Sequence, residues 1–207
     1  MLRNTKFGYG SLAILFHWTM AILIIGMLGL GLYMVRQPLT APETFALFQW
    51  HKSFGIVVFA LALARLVWRF SNPAPTLPEN MGALERLAAH LGHAGLYALM
   101  LFLPLSGWLV VSSSPYNIPT LLFGSINIPH MPLGWAVAEK TSLSDPASLI
   151  HEYAAYLLIV LVLLHIAAAL KHHFISKDDV LVRMMKPSSA APSEASKQQS
   201  PSQSKAT

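Results

Sequence analysis

The sequence contains no cysteine among its 207 residues, and only 11% of those residues are charged. Without thiols the chain cannot form disulfides, iron–sulfur clusters, thiolate zinc sites or a covalent c-type haem attachment. A soluble domain normally carries about 25% charged residues, whereas 54% of this chain is hydrophobic and its few charges cluster between long apolar runs. This composition predicts an integral membrane protein.

Four apolar runs are long enough to cross a bilayer, which takes about 20 residues of helix. The predicted spans are roughly residues 12–35, 45–70, 87–111 and 146–170. They predict an all-α fold, an integral membrane four-helix bundle within a single domain of residues 1–186. Residues 187–207 are mostly Ser, Ala, Gln, Lys and Pro, which cannot bury enough apolar area to fold. We therefore expect a disordered cytoplasmic tail there.

The distribution of lysine and arginine predicts the orientation, because cytoplasmic flanks carry the excess of basic residues. If the N-terminus is cytoplasmic, only Arg36, Lys52 and Lys140 lie outside, and the other eleven basic residues lie inside. Both termini are thus expected in the cytoplasm. The net charge of +5 is explained by this topology, so no nucleic-acid partner is needed.

Six histidines fall within the predicted spans, where ionisable side chains are costly and are usually functional. They are His17, His51, His90, His93, His151 and His165. A lone histidine in a membrane helix more often forms a hydrogen bond between helices. Six of them in four helices favour a bound cofactor, and imidazole is a good ligand for transition metals.

The spacing of these histidines predicts two pairs at different depths. His151 and His165 are 14 residues apart, so they share one helix face at a separation of about 21 Å. Matching depths pairs His51 with His151 near the outer surface and His17 with His165 near the inner one. His90 and His93 also lie at the inner depth, however, so spacing alone leaves the partner of His165 open.

Two imidazoles facing each other across a bundle suit a planar haem, whose axial positions lie perpendicular to the ring. Zinc prefers four tetrahedral ligands, and two histidines per layer are too few. Arg65 follows His51 by 14 residues, so it reaches the inner depth on the same face and could contact a haem propionate or a quinone. A snorkelling arginine at a helix end is an equally good interpretation.

Five segments resemble the bacterial cytochrome b561 family of four-helix di-haem membrane cytochromes. They are FHW (residues 16–18), QWHKSFG (49–55), AHLGHAGLY (89–97), IHEYAAY (150–156) and LLHIAAALKHHFISKDDVLVRMM (163–185). The resemblance covers about residues 5–186 in order and at the family's spacing. It implies a multi-pass protein of the bacterial inner membrane that holds two haem b groups.

The resemblance also implies particular roles. His17 and His165 would hold the inner haem, and His51 and His151 the outer one. Four further residues become candidates for contacts with ubiquinone or a haem propionate: Arg65, His90, His93 and His172. Similar proteins oxidise superoxide at the outer face and reduce ubiquinone at the inner face. Lys52 and Lys140 could steer such an anion towards the outer haem.

Two other functions compete with this interpretation. The chain could be the cytochrome b anchor of a hydrogenase or dehydrogenase, relaying electrons for a redox partner protein without a substrate of its own. It could also be a haem-free membrane protein whose histidines only connect helices.

Overall fold

The computed structural model describes residues 1–78, 81–132 and 142–188. Within these ranges the chain forms four long helices: α1 (Ser11–Met34), α2 (Pro42–Ser71), α3 (Ala83–Ser113) and α4 (Ser144–Lys171). Each is long and apolar enough to cross a membrane, and helices adjacent in sequence pack against each other. The predicted all-α membrane bundle is confirmed. Most of the predicted tail, from residue 189 onward, lies outside the described residues.

Large apolar side chains cover the outside of the bundle, including Ile22, Val67 and Leu84, which are 70%, 66% and 80% exposed. In a bilayer such side chains face lipid, so they gain nothing from being buried inside the protein. The buried core is correspondingly small and centres on Met20, Ala62 and Met100. It lies near the middle of the bundle and leaves both ends to polar residues.

The described terminal segments meet at one end of the bundle, which we call the terminal end. The amide of Ser188 donates to the Tyr9 carbonyl at 2.9 Å, which joins the two segments. The loop between α2 and α3 closes the same end, because the Thr76 amide donates to the Lys6 carbonyl at 3.2 Å and Arg183 donates to the Thr76 carbonyl at 2.7 Å. α4 continues here into a π-helical turn (His172–Ser176), followed by a 3-10 turn (Val182–Met184).

The opposite end, the hairpin end, carries an antiparallel pair of short strands between the third and fourth helices, which the sequence did not predict. Strands β1 (Thr120–Leu122) and β2 (Ile126–Ile128) pair with Leu122 opposite Ile126. Phe123 and Gly124 make the turn with φ of 48° and 76°. Glycine removes the steric cost of a positive φ at the second of these positions.

Polar side chains of α2 hold the hairpin against the bundle. The Gln49 amide donates to the Pro119 carbonyl at 2.9 Å and accepts from the Leu121 amide at 3.0 Å. One turn later, the Ser53 hydroxyl accepts from the Phe123 amide at 2.9 Å. Both side chains are buried. These bonds satisfy backbone groups that an isolated two-stranded hairpin would leave to water.

Candidate functional site

Each of the four helices carries two site positions that are 14 residues apart. Such a spacing returns to nearly the same helix face after about 21 Å of rise. The terminal layer, towards the terminal end, consists of His17, Arg65, His93 and His165. The hairpin layer, towards the hairpin end, consists of Gly31, His51, Gly107 and His151. The bundle thus presents two cross-sections, each with one position from every helix.

In the hairpin layer His51 and His151 face each other across the bundle, with ring centroids 6.3 Å apart and an interplanar angle of 83°. Nδ1 of His51 is buried and has no hydrogen-bond partner among the described residues. A buried polar atom without a partner is costly in a folded protein. The ring is therefore held by packing, and its Nδ1 is not committed to a described protein group.

The two glycines of this layer lie against the two imidazoles. A Cβ added to Gly31 would approach Cε1 of His51 at 3.3 Å, and one added to Gly107 would approach Cε1 of His151 at 3.1 Å. Both distances are shorter than ordinary van der Waals contact between carbon atoms, about 3.5–4.0 Å. Sequence reasoning did not single out Gly107.

Ser106 orients His151 and was missed by sequence reasoning. Its hydroxyl donates to the Leu103 carbonyl at 3.0 Å, and its oxygen lies 2.9 Å from Nδ1 of His151. With its own proton used on Leu103, the hydroxyl accepts the Nδ1–H of the imidazole. Nε2 of His151 then keeps its lone pair, which is the arrangement that metal-binding histidines show. A serine next to Gly107, within an otherwise apolar run, was the available signal.

In the terminal layer His165 has two imidazole neighbours. The centroids of His17 and His165 are 6.1 Å apart, and those of His93 and His165 are 5.5 Å apart. Nδ1 of His93 donates to the Ala89 carbonyl at 2.7 Å, which leaves its Nε2 free. The geometry therefore brings together the predicted pair and the competing histidine, and the choice of His17 remains a prediction.

Arg65 contacts His17 within the terminal layer, at the depth that its spacing from His51 predicted. Its Nη2 lies 3.1 Å from Nδ1 of His17, and a guanidinium can only donate. A histidine that binds metal through Nε2 carries a proton on Nδ1, so this hydrogen bond belongs to the metal-free imidazole. The guanidinium also lies 5.7 Å from the Tyr97 ring centroid, a cation–π contact that does not depend on the histidine tautomer.

The two predicted histidine pairs fit a haem. A metal–imidazole bond is about 2 Å and the bonded nitrogen lies roughly 1 Å from the ring centre, so two imidazoles on opposite sides of one metal hold their centroids about 6 Å apart. The observed separations are 6.1 and 6.3 Å. Among the described residues no group of three or more His, Asp or Glu could hold a metal ion.

His172 lies at the terminal end within a cluster of charged residues. It is buried, with Nδ1 2.5 Å from Oδ2 of Asp178 and Nε2 3.4 Å from Oε1 of Glu85. Lys171 forms an ion pair with the same Glu85 carboxylate. The adjoining cavity, which also reaches Met81, measures about 70 Å³. Small-molecule pockets are usually about 300–1,000 Å³, so this cavity suits water rather than a quinone ring.

A larger cavity of about 470 Å³ lies on the other side of Met81, with Arg86, Leu87 and His90 in its walls. Nδ1 of His90 donates to the Arg86 carbonyl at 2.7 Å, so Nε2 remains available to a ligand. Arg86, Leu87 and His90 are exposed, so the cavity lies open at the protein surface. Its volume is large enough for a quinone head group.

Of the two lysines predicted to steer an anion, only Lys52 lies within the described residues. Nζ of Lys52 donates to the Pro119 carbonyl at 2.8 Å, which fixes its charge beside the hairpin. A helix places Lys52 about 100° around α2 from His51, so it does not point towards the histidine pair. Lys140 lies outside the described residues.

The fold and site define a multi-pass membrane protein with facing histidine pairs inside a four-helix bundle. The family model for prokaryotic cytochrome b561 matches residues 8–187. The chain belongs to the prokaryotic cytochrome b561 family and is a membrane haem protein of the bacterial inner membrane. The resemblance read from the sequence is thereby confirmed, and a haem-free protein does not agree with the family.

Individual relatives match along most of their length. The chain is 36% identical over 193 residues to cytochrome b561 homolog 2 of Escherichia coli K12, covering 90% of this chain and 96% of the relative. It is 28% identical over 181 residues to a probable superoxide oxidase, CybB, of Yersinia pestis, covering 86% and 95%. Cytochrome b561 homolog 1 of Escherichia coli K12 is 31% identical over 135 residues, covering 65% and 72%.

Proposed function

We propose that this protein is a superoxide:ubiquinone oxidoreductase that carries electrons through two bis-histidine haems. The observation that supports this most is the presence of two facing histidine pairs, whose ring centroids are 6.1 and 6.3 Å apart. The site residues on each helix are 14 positions apart, which separates the two pairs in depth. His17 and His165 are the proposed ligands in the terminal layer, and His51 and His151 those in the hairpin layer. The excess of basic residues assigns the terminal end to the cytoplasm.

The reaction balances without any further reactant. Two superoxide anions each give up one electron at the outer face and become dioxygen. One ubiquinone takes up these two electrons and two cytoplasmic protons and becomes ubiquinol. When bound, each haem would supply a one-electron iron couple at the histidine pair that holds it. The similarity to a probable superoxide oxidase supports superoxide as the donor.

The residues at the terminal end would bind the acceptor and deliver its protons. With its Nδ1–H committed to the Arg86 carbonyl, Nε2 of His90 carries the lone pair and would accept a hydrogen bond from the hydroxyl of the ubiquinol formed in the larger cavity. On the other side of Met81, His172 lies between Asp178 and Glu85 and adjoins the smaller, water-sized cavity. That arrangement suits a proton donor next to the quinone.

Stopped-flow mixing of the purified, haem-loaded chain with superoxide tests the proposal, with and without ubiquinone. We expect rapid haem reduction without quinone, and turnover to ubiquinol when quinone is present. A chain whose haems superoxide does not reduce, but a co-purifying metalloenzyme does, would instead be the electron-relay anchor of a larger complex. The experiment therefore separates the two functions that the sequence left open.

A further inference from the structure

The two layers share a pair of facing histidines but differ in their remaining positions. In the hairpin layer both other positions are glycine, Gly31 and Gly107. In the terminal layer they are Arg65 and His93. One layer is therefore electrically neutral at these positions, whereas the other holds a permanent positive charge, because arginine does not lose its proton in proteins.

We propose that Arg65 is a positioning residue for electron flow: its charge raises the midpoint potential of the haem in the terminal layer above that of the haem in the hairpin layer. This inference rests on the two-haem assignment of the proposed function. Reduction adds an electron, and a nearby positive charge stabilises the reduced form. An electron entering at the hairpin end then moves to the terminal end with a gain in free energy.

The surroundings of Arg65 leave its charge uncompensated by protein groups. Among the described residues no carboxylate forms an ion pair with Arg65 or Arg69. Both guanidinium groups lie over the Tyr97 ring, at 5.7 and 5.5 Å from its centroid. Tyr9 lies close enough for both arginines to act on its phenol, but burial raises the pKa of that phenol. Tyr9 therefore stays neutral and does not offset the charge of the arginines.

Among the described residues, none of the four positions of the hairpin layer holds a lysine or an arginine. Nδ1 of His151 contacts the neutral hydroxyl of Ser106. The charge of Lys52 is held outside the layer, where its ammonium donates to the Pro119 carbonyl of the hairpin segment. Inside the bundle the effective dielectric constant is low, so a full charge acts strongly over the width of one helix. If Arg65 pairs with a haem propionate, removal of Arg65 leaves the negative charge of the propionate unpaired. The midpoint potential of the terminal-layer haem then falls as well.

The test is a spectroelectrochemical titration of the haem-loaded chain and its Arg65→Met, Arg65→Gln and Arg65→Lys variants. We expect two one-electron components in the wild type. Arg65→Met and Arg65→Gln should lower the higher component by about tenfold in its equilibrium constant, which is 59 mV for one electron, and leave the lower one in place. Arg65→Lys should restore most of the shift because it restores the charge.

Two controls sharpen the result. Arg69→Met removes a charge over the same Tyr97 ring that lies about one helical turn beyond Arg65, so it should shift the higher component less. Repeating Arg65→Met in a His51→Ala background, which keeps only the terminal-layer haem, should reproduce the full shift in a single component. A shift in Arg65→Met that is absent from Arg65→Gln would show that hydrogen bonding, not charge, sets the potential, and would overturn the inference.

The failure of this inference is distinguishable from the failure of the proposed function. If His51→Ala retains one haem per chain but no Arg65 variant moves its potential, only the inference is wrong. If His51→Ala loses both haems or keeps both, the ligand assignment itself is wrong, whatever the potentials show.

Discussion

At the scale of single residues, the two imidazole pairs are held by different neighbours. His51 and His151 are positioned by the close approach of Gly31 and Gly107, and His151 also by the Ser106 hydroxyl. His17 and His165 have Arg65 and His93 beside them instead. Because each pair has its own neighbours, a substitution in one layer should leave the other largely intact.

The first prediction concerns the four proposed ligands. His51→Ala or His151→Ala should remove one haem, and His17→Ala or His165→Ala should remove the other. The layers are about 21 Å apart, so a histidine of one layer cannot replace a ligand lost from the other. Pyridine haemochrome analysis with a protein assay should give two haems per wild-type chain and one per variant. His93→Ala is the matched control and should retain both haems. If His93→Ala loses a haem and His17→Ala does not, α3 supplies the partner of His165.

The second prediction concerns the glycines of the hairpin layer. Gly31→Ala and Gly107→Ala should each displace an imidazole by a few tenths of an ångström, since the new methyl group would lie 3.3 or 3.1 Å from the ring. We expect a several-fold loss of haem from that layer, measured as haem content and as a change in the Soret band. Gly26→Ala is the control on α1, where an added Cβ meets nothing within 4 Å. Equal effects in all three variants would contradict this explanation.

At the scale of elements, the hairpin braces α2 and α3 on the sides that face away from the histidines. Gln49 and Ser53 lie about 160° around α2 from His51, and they bond to residues 119–123. On α3, Trp108 donates to the Pro129 carbonyl and Ser112 accepts from the Met131 amide. The hairpin therefore fixes the spacing of two helices on the side of α2 opposite His51.

The third prediction follows from this brace. Gln49→Ala should destabilise the protein by about 1–3 kcal/mol, because the part-buried Leu121 amide loses its acceptor. The Pro119 carbonyl still accepts from Lys52, so the amide accounts for the loss. A fall in Tm, with haem content unchanged at low temperature, is the expected result. Ser125→Ala provides a control at the exposed tip of the same hairpin, where the hydroxyl makes only a 3.5 Å contact. A Tm equal to that of the control would argue against the brace.

At the scale of the whole molecule, the two ends have different chemistry. The hairpin end carries few basic residues, whereas the terminal end combines the His172 cluster, the larger cavity and most of the lysines and arginines. Substitutions at one end should therefore affect one half-reaction only.

The fourth prediction tests this separation. His172→Ala should slow quinone reduction at least several-fold without changing the rate at which superoxide reduces haem, since the residue lies next to the terminal layer. Lys52→Gln together with Lys140→Gln should do the opposite, and the wild-type rate of haem reduction should fall with added salt as attraction of the anion is screened. Stopped-flow absorption reports both steps. A rate that responds neither to salt nor to the lysines would remove the steering argument and favour a protein donor.

The sequence by itself determined the architecture, because hydrophobic runs of about 20 residues leave a helix as the only way to satisfy the backbone in lipid. It also determined the two depths, since a spacing of 14 residues fixes both the face and the rise on a regular helix. The spacing of His51 and Arg65 thus predicted the level at which Arg65 meets His17.

Only the tertiary structure decided which helices face each other at each depth, because periodicity within one helix carries no information about its rotation against the next. That is why the sequence missed the contact of Gly107 with His151 and the hydrogen bond from His151 to Ser106. The hairpin was missed for a related reason: its strands are three residues long, too short to show a pattern, and they are stabilised by Gln49 and Ser53, some 70 residues away in sequence.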